Sequence, residues 1–211
     1  MLKKIFLLLF TIVILAYCAT DIGKIIKNVQ KKYKKVSSIY VDFKQINRFK
    51  LTGLSSEIFG SLLLTKDDRF RLETEDQIIV SDGKTFWRYN KLENQVIIDY
   101  AKKTEQDVFL HDFLFNIQEK YFSQVLSERK VNSDKIFEIK LTPKNSESSF
   151  FEYIKVWIVD KSWEIKRVIY VDYNENETEY EIEKLSINPT IKENDFKLNI
   201  PQGIEVVDLR F

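Results

Sequence analysis

Apolar residues near the start of the chain recur at spacings of three and four, which predicts an amphipathic helix. Thr20 or Asp21 can cap this helix, and the pattern continues to Val36. Its opposite side is rich in lysine. We therefore expect the helix to pack through one face on another layer of structure. The apolar stripe consists of Ile22, Ile25, Ile26, Val29, Tyr33 and Val36.

Alternation of apolar and polar residues replaces this pattern between residues 39 and 100 and again between residues 135 and 187. In the first block the gaps are too short for parallel crossovers, so the strands are expected to form an antiparallel meander. Its segments read IYVDFKQINRF, SEIFGSLLLTK, RFRLETED, QIIVSD, KTFWRYN and QVIIDY. The second block reads KIFEIKLTP, FFEYIKVWIVD, WEIKRVIYVDY and ETEYEIEKLSI.

The segment VSDGKTFWRYN predicts a β-hairpin. Asp-Gly at 82–83 can supply the positive φ angles of a two-residue turn between strands at 78–81 and 85–90. Alternation along the second strand places Trp87 and Tyr89 on the same face. The hairpin is therefore predicted to have an aromatic face.

Residues 102–129 return to helical spacing, with apolar side chains within an arc of roughly 140°. Residues 194–211 predict a short strand, a Pro-Gly turn and a last strand. The helical arc consists of Phe109, Leu110, Phe113, Leu114, Ile117 and Tyr121.

These elements predict an α+β fold. We expect a single large antiparallel sheet of about ten strands, curled into a half-barrel, with an N-terminal helix and a mid-chain helical lid. A lined groove under the lid and a fully filled core would produce the same periodicity, so the pattern leaves both open.

The first residues, MLKKIFLLLFTIVILAYCA, have the layout of a secretory signal peptide, with lysines, an apolar run and small residues. We expect residues 1–18 to be the signal peptide and residues 19–211 to form one exported domain. Cys18 is the single cysteine of the chain. Cleavage after it would leave no thiol, whereas lipid attachment would retain it as an acylated first residue. Neither outcome permits an intramolecular disulfide.

Composition argues against several function classes. The chain has 33 basic and 32 acidic residues, and losing Lys3 and Lys4 with the signal peptide leaves a net charge of −1. This balance offers no basic face for nucleic acid. His111 is the sole histidine, so we expect no histidine-based metal cluster, no Cys-His nucleophile pair and no cofactor. A Ser-His-Asp arrangement would have to use His111, which we interpret instead as a polar position on the wet side of a helix. Carboxylates are plentiful, but no pair is singled out for catalysis, and an enzyme is the least favoured class.

The ordered set VDFKQ, GSLLL, RFRLE, IIVSDGKTFWRYN, NQV and FKLNIPQGIEVVD resembles the LolA family over residues 39–208. Members of this family are periplasmic carriers of outer-membrane lipoproteins in Gram-negative bacteria. The resemblance implies a half-barrel with a helical lid whose apolar cavity holds the acyl chains of a lipoprotein. It also implies two partners besides the cargo, an inner-membrane ABC exporter that loads the carrier and an outer-membrane lipoprotein receptor that unloads it.

The resemblance also points to a basic residue in the turn before the third strand. In the family an arginine followed by proline stands there, and here Lys66 and Asp67 take those places, whereas Phe70 matches the family's phenylalanine. Arg69 or Arg71 can substitute for the missing arginine. The alternative is that these residues are solvated turn charges.

We predict an acyl-chain cavity from the apolar strand and lid positions taken together. Ordinary core packing is the alternative for any one of them. The predicted sheet residues are Phe43, Phe70, Ile78, Val80, Trp87, Tyr89, Val96 and Ile98. The predicted lid residues are Phe109, Phe113, Leu114 and Ile117, and the basic loop residues are Lys66 and Arg69.

Two other functions fit the same resemblance. A lipid-anchored outer-membrane receptor of the same fold would retain Cys18, and a related carrier could bind other amphiphilic lipids. We expect a monomer in each case, because no pairing stripe is visible in the sequence.

Overall fold

The computed structural model describes residues 21–101, 117–147 and 149–210. The helical elements are α1 (Ile22–Lys34), α2 (Ile117–Lys120) and a 3₁₀ turn (Glu193–Phe196). The strands are β1 (Ser38–Arg48), β2 (Ser55–Thr65), β3 (Phe70–Thr74), β4 (Gln77–Ser81), β5 (Thr85–Asn90), β6 (Gln95–Tyr100), β7 (Tyr121–Val131), β8 (Asp134–Pro143), β9 (Tyr153–Val159), β10 (Ile165–Val171), β11 (Glu177–Ile187) and β12 (Glu205–Asp208). The predicted signal peptide, Cys18 and His111 lie outside the described residues.

The described strands form one unclosed sheet in the order β12-β6-β5-β4-β3-β2-β1-β11-β10-β9-β8-β7. β1 pairs antiparallel with both β2 and β11, which joins the two strand blocks seen in the sequence. The predicted fold class, α+β with a single large antiparallel sheet, is confirmed. The described part of the sheet has twelve strands, against the ten or so expected from the pattern.

Helix α1 packs on one face of the sheet, which we call the inner face, and the opposite side is the outer face. Strands as far apart as β4 and β8 contribute side chains to the same hydrophobic cluster as α1, so the sheet curls around the helix. The cluster includes Ile25, Ile26, Val29 and Tyr33 from α1, and Val41, Phe43, Leu62, Leu64, Phe70, Ile79, Phe137, Ile139, Leu141, Val156 and Val168 from the sheet.

The start of α1 is as predicted. Asp21 is the N-cap, and its Oδ1 accepts a hydrogen bond from the Lys24 N–H at 3.2 Å. At the other end, Lys32 Nζ donates to the Ser162 carbonyl at 2.8 Å. The helix is therefore fixed at both ends, by its own cap and by the turn between β9 and β10.

The helical spacing predicted for residues 102–129 is wrong from Tyr121 onward, where the chain forms β7. Along this strand Tyr121, Ser123 and Val125 are less exposed than the residues between them. Because Ser123 is polar, the apolar alternation of a strand is weak here. Tyr121 also stands four residues after Ile117, which fits helical spacing equally well. Pairing with β8 decides in favour of the strand.

The hairpin of β4 and β5 is confirmed, but its turn differs from the predicted two-residue type. Gly83 has a φ of +87°, whereas Asp82 does not have a positive φ. Instead, Asp82 Oδ1 accepts hydrogen bonds from the N–H groups of Lys84 at 2.8 Å and Thr85 at 2.7 Å. The Asp82 side chain thus organises the turn, and only Gly83 needs the left-handed conformation.

The C-terminal tail was only partly predicted by the sequence pattern. Residues 193–196 form the 3₁₀ turn in place of the expected strand, because Asp195 Oδ2 accepts the Lys192 N–H at 2.7 Å and favours a local turn. The final strand, β12, is confirmed. It pairs with β6 in the parallel direction.

Candidate functional site

The inner face of strands β2 to β5 is identified by the register of their pairing. Phe70 lies opposite Leu64 on β2 and opposite Ser81 on β4, and Ser81 in turn lies opposite Phe86. Phe70 and Leu64 belong to the cluster around α1, and Phe86 packs against it. Two of the predicted cavity residues, Phe43 and Phe70, are therefore on the inner face. Whether they contact a ligand stays a prediction.

The other six predicted sheet residues lie on the outer face. Val80 is opposite Trp87, and Trp87 is opposite Ile98, in the register that places Phe86 on the inner face. The eight residues therefore do not line one surface, and the predicted aromatic face of the hairpin is turned away from α1. The sequence could not reveal this, because both alternating sets of positions on β4 and β5 are apolar or aromatic. The six residues are Ile78, Val80, Trp87, Tyr89, Val96 and Ile98.

The C-terminal segment covers this part of the outer face. Val80 and Val96 are completely buried although they face away from α1. Phe196 of the 3₁₀ turn is buried as well, and the turn contacts β3. Because β12 lies beside β6, residues 197–204 must cross β4 and β5 to reach it. Three of the six predicted cavity residues on this face, Val80, Val96 and Ile98, are therefore buried on the side of the sheet away from α1.

Arg69 holds this tail against the sheet. Its guanidinium carbon lies 4.7 Å from the centre of the Phe196 ring, and its Nη1 is 3.4 Å from Glu193 Oε2. Asp67 Oδ2 accepts a hydrogen bond from Arg69 Nε at 2.9 Å. Lys66 is exposed in the same turn, and its N–H donates to the Ser37 carbonyl at 2.9 Å. Of the two predicted basic loop residues, Arg69 therefore contacts the 3₁₀ turn through its side chain, whereas the Lys66 backbone bonds to the residue before β1.

Replacing Arg69 with alanine should loosen the tail without unfolding the sheet. The loss of a partly exposed cation–π contact and a weak ion pair should speed amide hydrogen exchange in residues 193–208 by about fivefold. Hydrogen exchange followed by mass spectrometry measures this. Arg71→Ala is the control, because the Arg71 guanidinium is paired at 3.0 Å with Glu73 of its own strand. Equal exchange in both variants would contradict the role given to Arg69.

A row of aromatic rings crosses the inner face from β1 to the segment before β9. Phe43 packs edge-on against Tyr180, with ring centres 5.4 Å apart, and Tyr180 packs edge-on against Tyr170 at 5.8 Å. Phe151 continues the row, 5.6 Å from Tyr170. Edge-to-face pairs of this kind stabilise the positions of the rings. Of these four residues, only Phe43 is among the cavity residues predicted from the sequence.

A second aromatic pair lies on the inner face of β3 and β5. The rings of Phe70 and Phe86 are 6.5 Å apart, and the guanidinium carbon of Arg88 lies 5.5 Å from the centre of the Phe86 ring. Phe86 is only partly buried. The inner face therefore combines apolar side chains with a positive charge on β5.

The predicted lid can be followed only at its last residue. Ile117 begins α2, is almost completely buried and belongs to the cluster around α1. Phe109, Phe113 and Leu114 lie outside the described residues.

An open depression of about 720 Å³ lies at the rim of the sheet, around the β1–β2 hairpin. It is lined by charged side chains such as Arg48, Glu175 and Glu177, with Phe49 and Leu54 at the hairpin itself. None of the residues that line it is a predicted cavity residue, so it does not correspond to the predicted cavity.

The described ranges contain neither a metal site nor a membrane helix. Within residues 21–101, 117–147 and 149–210, no three His, Cys, Asp or Glu side chains are placed to hold a metal ion. Across the same part of the chain, no helix combines the length and apolar character needed to cross a membrane.

A protein-family model places this architecture among known proteins. The model of the outer membrane lipoprotein carrier protein LolA matches residues 34–199, most of the chain. The protein therefore belongs to the LolA family.

Individual proteins similar to the chain are distant. An uncharacterized protein of Methanocaldococcus jannaschii is 24% identical over 97% of this chain, which spans only 60% of that protein's length. An outer-membrane lipoprotein carrier protein of Legionella pneumophila is 26% identical over 85% of this chain and 87% of its own length. A crystal structure of an uncharacterized conserved protein from Thermus thermophilus aligns with a TM-score of 0.57 at 13% identity, over 88% of this chain and 98% of that chain. At that identity the alignment supports the fold alone.

Proposed function

We propose that this protein is an exported carrier that shelters the acyl chains of lipoproteins against the inner face of its curled sheet. The observation that carries the proposal is that apolar side chains continue along the inner face beyond the area that α1 buries. They remain partly exposed while packing against the core cluster. These residues include Leu72, Phe86, Tyr170, Tyr180 and Ile182.

The acyl chains of a lipoprotein need an apolar surface once they leave the membrane. Each buried methylene of an acyl chain is worth about 0.8 kcal/mol, so a lipoprotein cannot leave a membrane unless apolar surface replaces the bilayer. An unclosed curled sheet offers this surface from one side. In the proposal, residues 102–116, including Phe109, Phe113 and Leu114, cover the guest from the other side. No covalent chemistry is required, and transfer follows differences in affinity between successive binding sites.

The family supports the coarser part of this proposal, because its model describes lipoprotein carriers. The finer steps are proposals for this chain. They are export through the signal peptide at residues 1–18, residence in the periplasm of a Gram-negative bacterium, loading by an inner-membrane ABC exporter and delivery to an outer-membrane receptor. The receptor itself is a second candidate, favoured by Cys18 as a lipid-attachment residue.

Identification of the bound guest tests the proposal. The full chain is expressed with its signal peptide, purified from the periplasm without detergent, and its bound molecules are identified by native mass spectrometry. Lipoproteins should be recovered at close to one per carrier. Recovery of glycolipids or other amphiphiles alone would mean that the protein carries those molecules and not lipoproteins. A diacyl or triacyl mass added at Cys18 would favour the receptor.

Two neighbouring side chains on opposite faces of β5 distinguish the inner face from the outer face as the binding surface. Phe86→Gln should weaken binding of a fluorescent diacylated lipopeptide by about tenfold, because an aromatic contact surface is lost. Trp87→Gln should change binding by less than about twofold, since Trp87 lies on the outer face, opposite Val80 and Ile98. Fluorescence titration measures both variants, and circular dichroism confirms that they fold. The opposite ranking would place the site on the outer face.

A further inference from the structure

The inner face changes from apolar to polar along the length of β1. On β1 the inward positions pass from Val41 and Phe43, both buried and apolar, to Gln45 and Asn47, which are polar and partly exposed. Gln45 Nε2 donates a hydrogen bond to Asn47 Oδ1 at 2.9 Å. The inner face is therefore amphipathic along the strands, with its polar end towards the β1–β2 hairpin.

Tyr180 stands at the boundary between the two parts. It lies opposite Gln45 on β1 and opposite Val168 on β10, and Val168 is a fully buried member of the core cluster. Its ring is held by edge-on contacts with Phe43 and Tyr170. The position of the phenol is thus determined by neighbours on both sides.

The hydroxyl of Tyr180 is a hydrogen-bond donor with no acceptor among the residues that the structure describes. Burial raises the pKa of Tyr180 to about 12, so the phenol stays protonated at physiological pH. Burial also raises the pKa of Tyr170, beside it, well above the ordinary value of 10.0. A protonated phenol on a partly exposed side chain at the edge of an apolar surface can donate to an oxygen acceptor that a guest brings to it.

On the basis of the proposed function, we infer that Tyr180 donates a hydrogen bond to the carbonyl oxygen that joins an acyl chain to the polar part of the guest. The acyl chain then lies along the apolar inner face, and the polar part lies towards Gln45 and Asn47. The recognised chemistry is an acyl ester or amide carbonyl, which a lipoprotein and a phospholipid both possess. Tyr180 would therefore set the depth to which the guest enters.

The test compares guests that differ only in this carbonyl. Affinities are measured for a diacylated lipopeptide and for its dialkyl ether analogue, which lacks the ester carbonyls. Wild-type protein should bind the diacyl form about fivefold more tightly, in line with the net contribution of one hydrogen bond. In Tyr180→Phe the two guests should bind equally, because affinity for the diacyl form falls and affinity for the ether form is unchanged.

Tyr89→Phe is the matched control, because Tyr89 is on the outer face and its hydroxyl lies 3.5 Å from Asn94 Oδ1. It should keep the wild-type preference. Tyr180→Phe should also keep wild-type thermal stability, since removing a hydroxyl that has no partner does not break a hydrogen bond. A loss of stability would assign the hydroxyl to the fold and overturn the inference.

The outcomes separate this inference from the proposed function. If wild-type protein binds both guests equally, or if Tyr180→Phe keeps the preference for the diacyl form, the assignment of Tyr180 is wrong and lipid carriage stands. If wild-type protein binds neither guest, both proposals fall. The same pair of measurements with diacyl and dialkyl phosphatidylglycerol shows whether Tyr180 recognises the carbonyl of phospholipids as well as that of lipopeptides.

Discussion

Gly60→Val should lower the free energy of unfolding by about 3 kcal/mol, the largest effect expected from a single substitution on the inner face. A Cβ atom added to Gly60 would lie 2.7 Å from the Glu73 carbonyl oxygen and 2.7 Å from Phe43 Cζ. The first of these is a backbone atom of the paired strand β3, so it cannot move aside without disturbing the sheet. Glycine is therefore required by close packing at this position, and not by a positive φ.

Urea or thermal unfolding measures this effect, and two variants control for it. Ser55→Val adds a similar side chain at an exposed position of the same strand and should change stability by less than about 0.5 kcal/mol. Phe43→Leu combined with Gly60→Val removes the ring contact but leaves the contact with the Glu73 carbonyl, so it should not recover wild-type stability. Full recovery would contradict the carbonyl contact as the main cause.

Gly60 also bears on the proposed site. It leaves room for the Phe43 ring, which lies opposite it across the β1–β2 pair and then contacts Tyr180. A variant that folds with a displaced Phe43 should therefore lose the orientation of Tyr180 as well.

Glu179→Gln should lower the free energy of unfolding by about 2 kcal/mol at neutral pH and by progressively less at acidic pH. Glu179 lies on the outer face, and its side chain is completely buried. Its carboxylate is paired with Arg48, at 2.5 Å, and with Arg167. Glutamine preserves the shape of the side chain and removes the charge, so both pairs are weakened together.

The pH dependence follows from the pKa of Glu179. Burial raises this pKa, but hydrogen bonds from Arg167 and Arg48 outweigh burial and hold it below the ordinary value of 4.5. Since the folded protein has the lower pKa, the stabilisation is complete above about pH 4.5, the unfolded value, and is lost as the pH falls through the folded value. Wild type and variant should therefore converge in stability at low pH.

Chemical denaturation from about pH 3 to about pH 7 measures this convergence, because carboxylates titrate within that range. Glu177→Gln is the control. Glu177 is paired with the same Arg48, at 3.5 Å, but its side chain is 29% exposed. It should contribute less than about 1 kcal/mol. A constant difference between wild type and Glu179→Gln at every pH would mean that packing, and not charge, causes the loss.

Strand β7 and the hairpin of β4 and β5 are the places where the sequence pattern did not predict the structure. β11 forms over the same residues, 177–187, that alternation predicted, because charged and apolar positions differ clearly there. β7 was missed because polar Ser123 occupies one of its less exposed positions. On β4 and β5 the strands were predicted correctly and the face was not, because Phe86 and Trp87 are both large aromatic residues.

The candidate site was predictable to a smaller extent than the fold. Phe43 and Phe70 were selected by the sequence and lie on the inner face, whereas Phe86, Tyr170 and Tyr180 were not selected and also lie there. Tyr180 stands in an alternating strand with glutamates at 179 and 181. Nothing in that pattern distinguishes a tyrosine at a binding surface on the inner face from a tyrosine packed in an ordinary core.

The pattern of residues was enough to predict the capped amphipathic helix, most of the strands and the position of the Asp-Gly turn. These are local properties, because neighbouring residues alone decide caps, turns and alternation. Which face of each strand points inward became visible only in the folded protein, because it depends on the register of pairing and on what covers each side. Helix α1 covers one face and the C-terminal segment covers part of the other, and both arrive from distant parts of the chain.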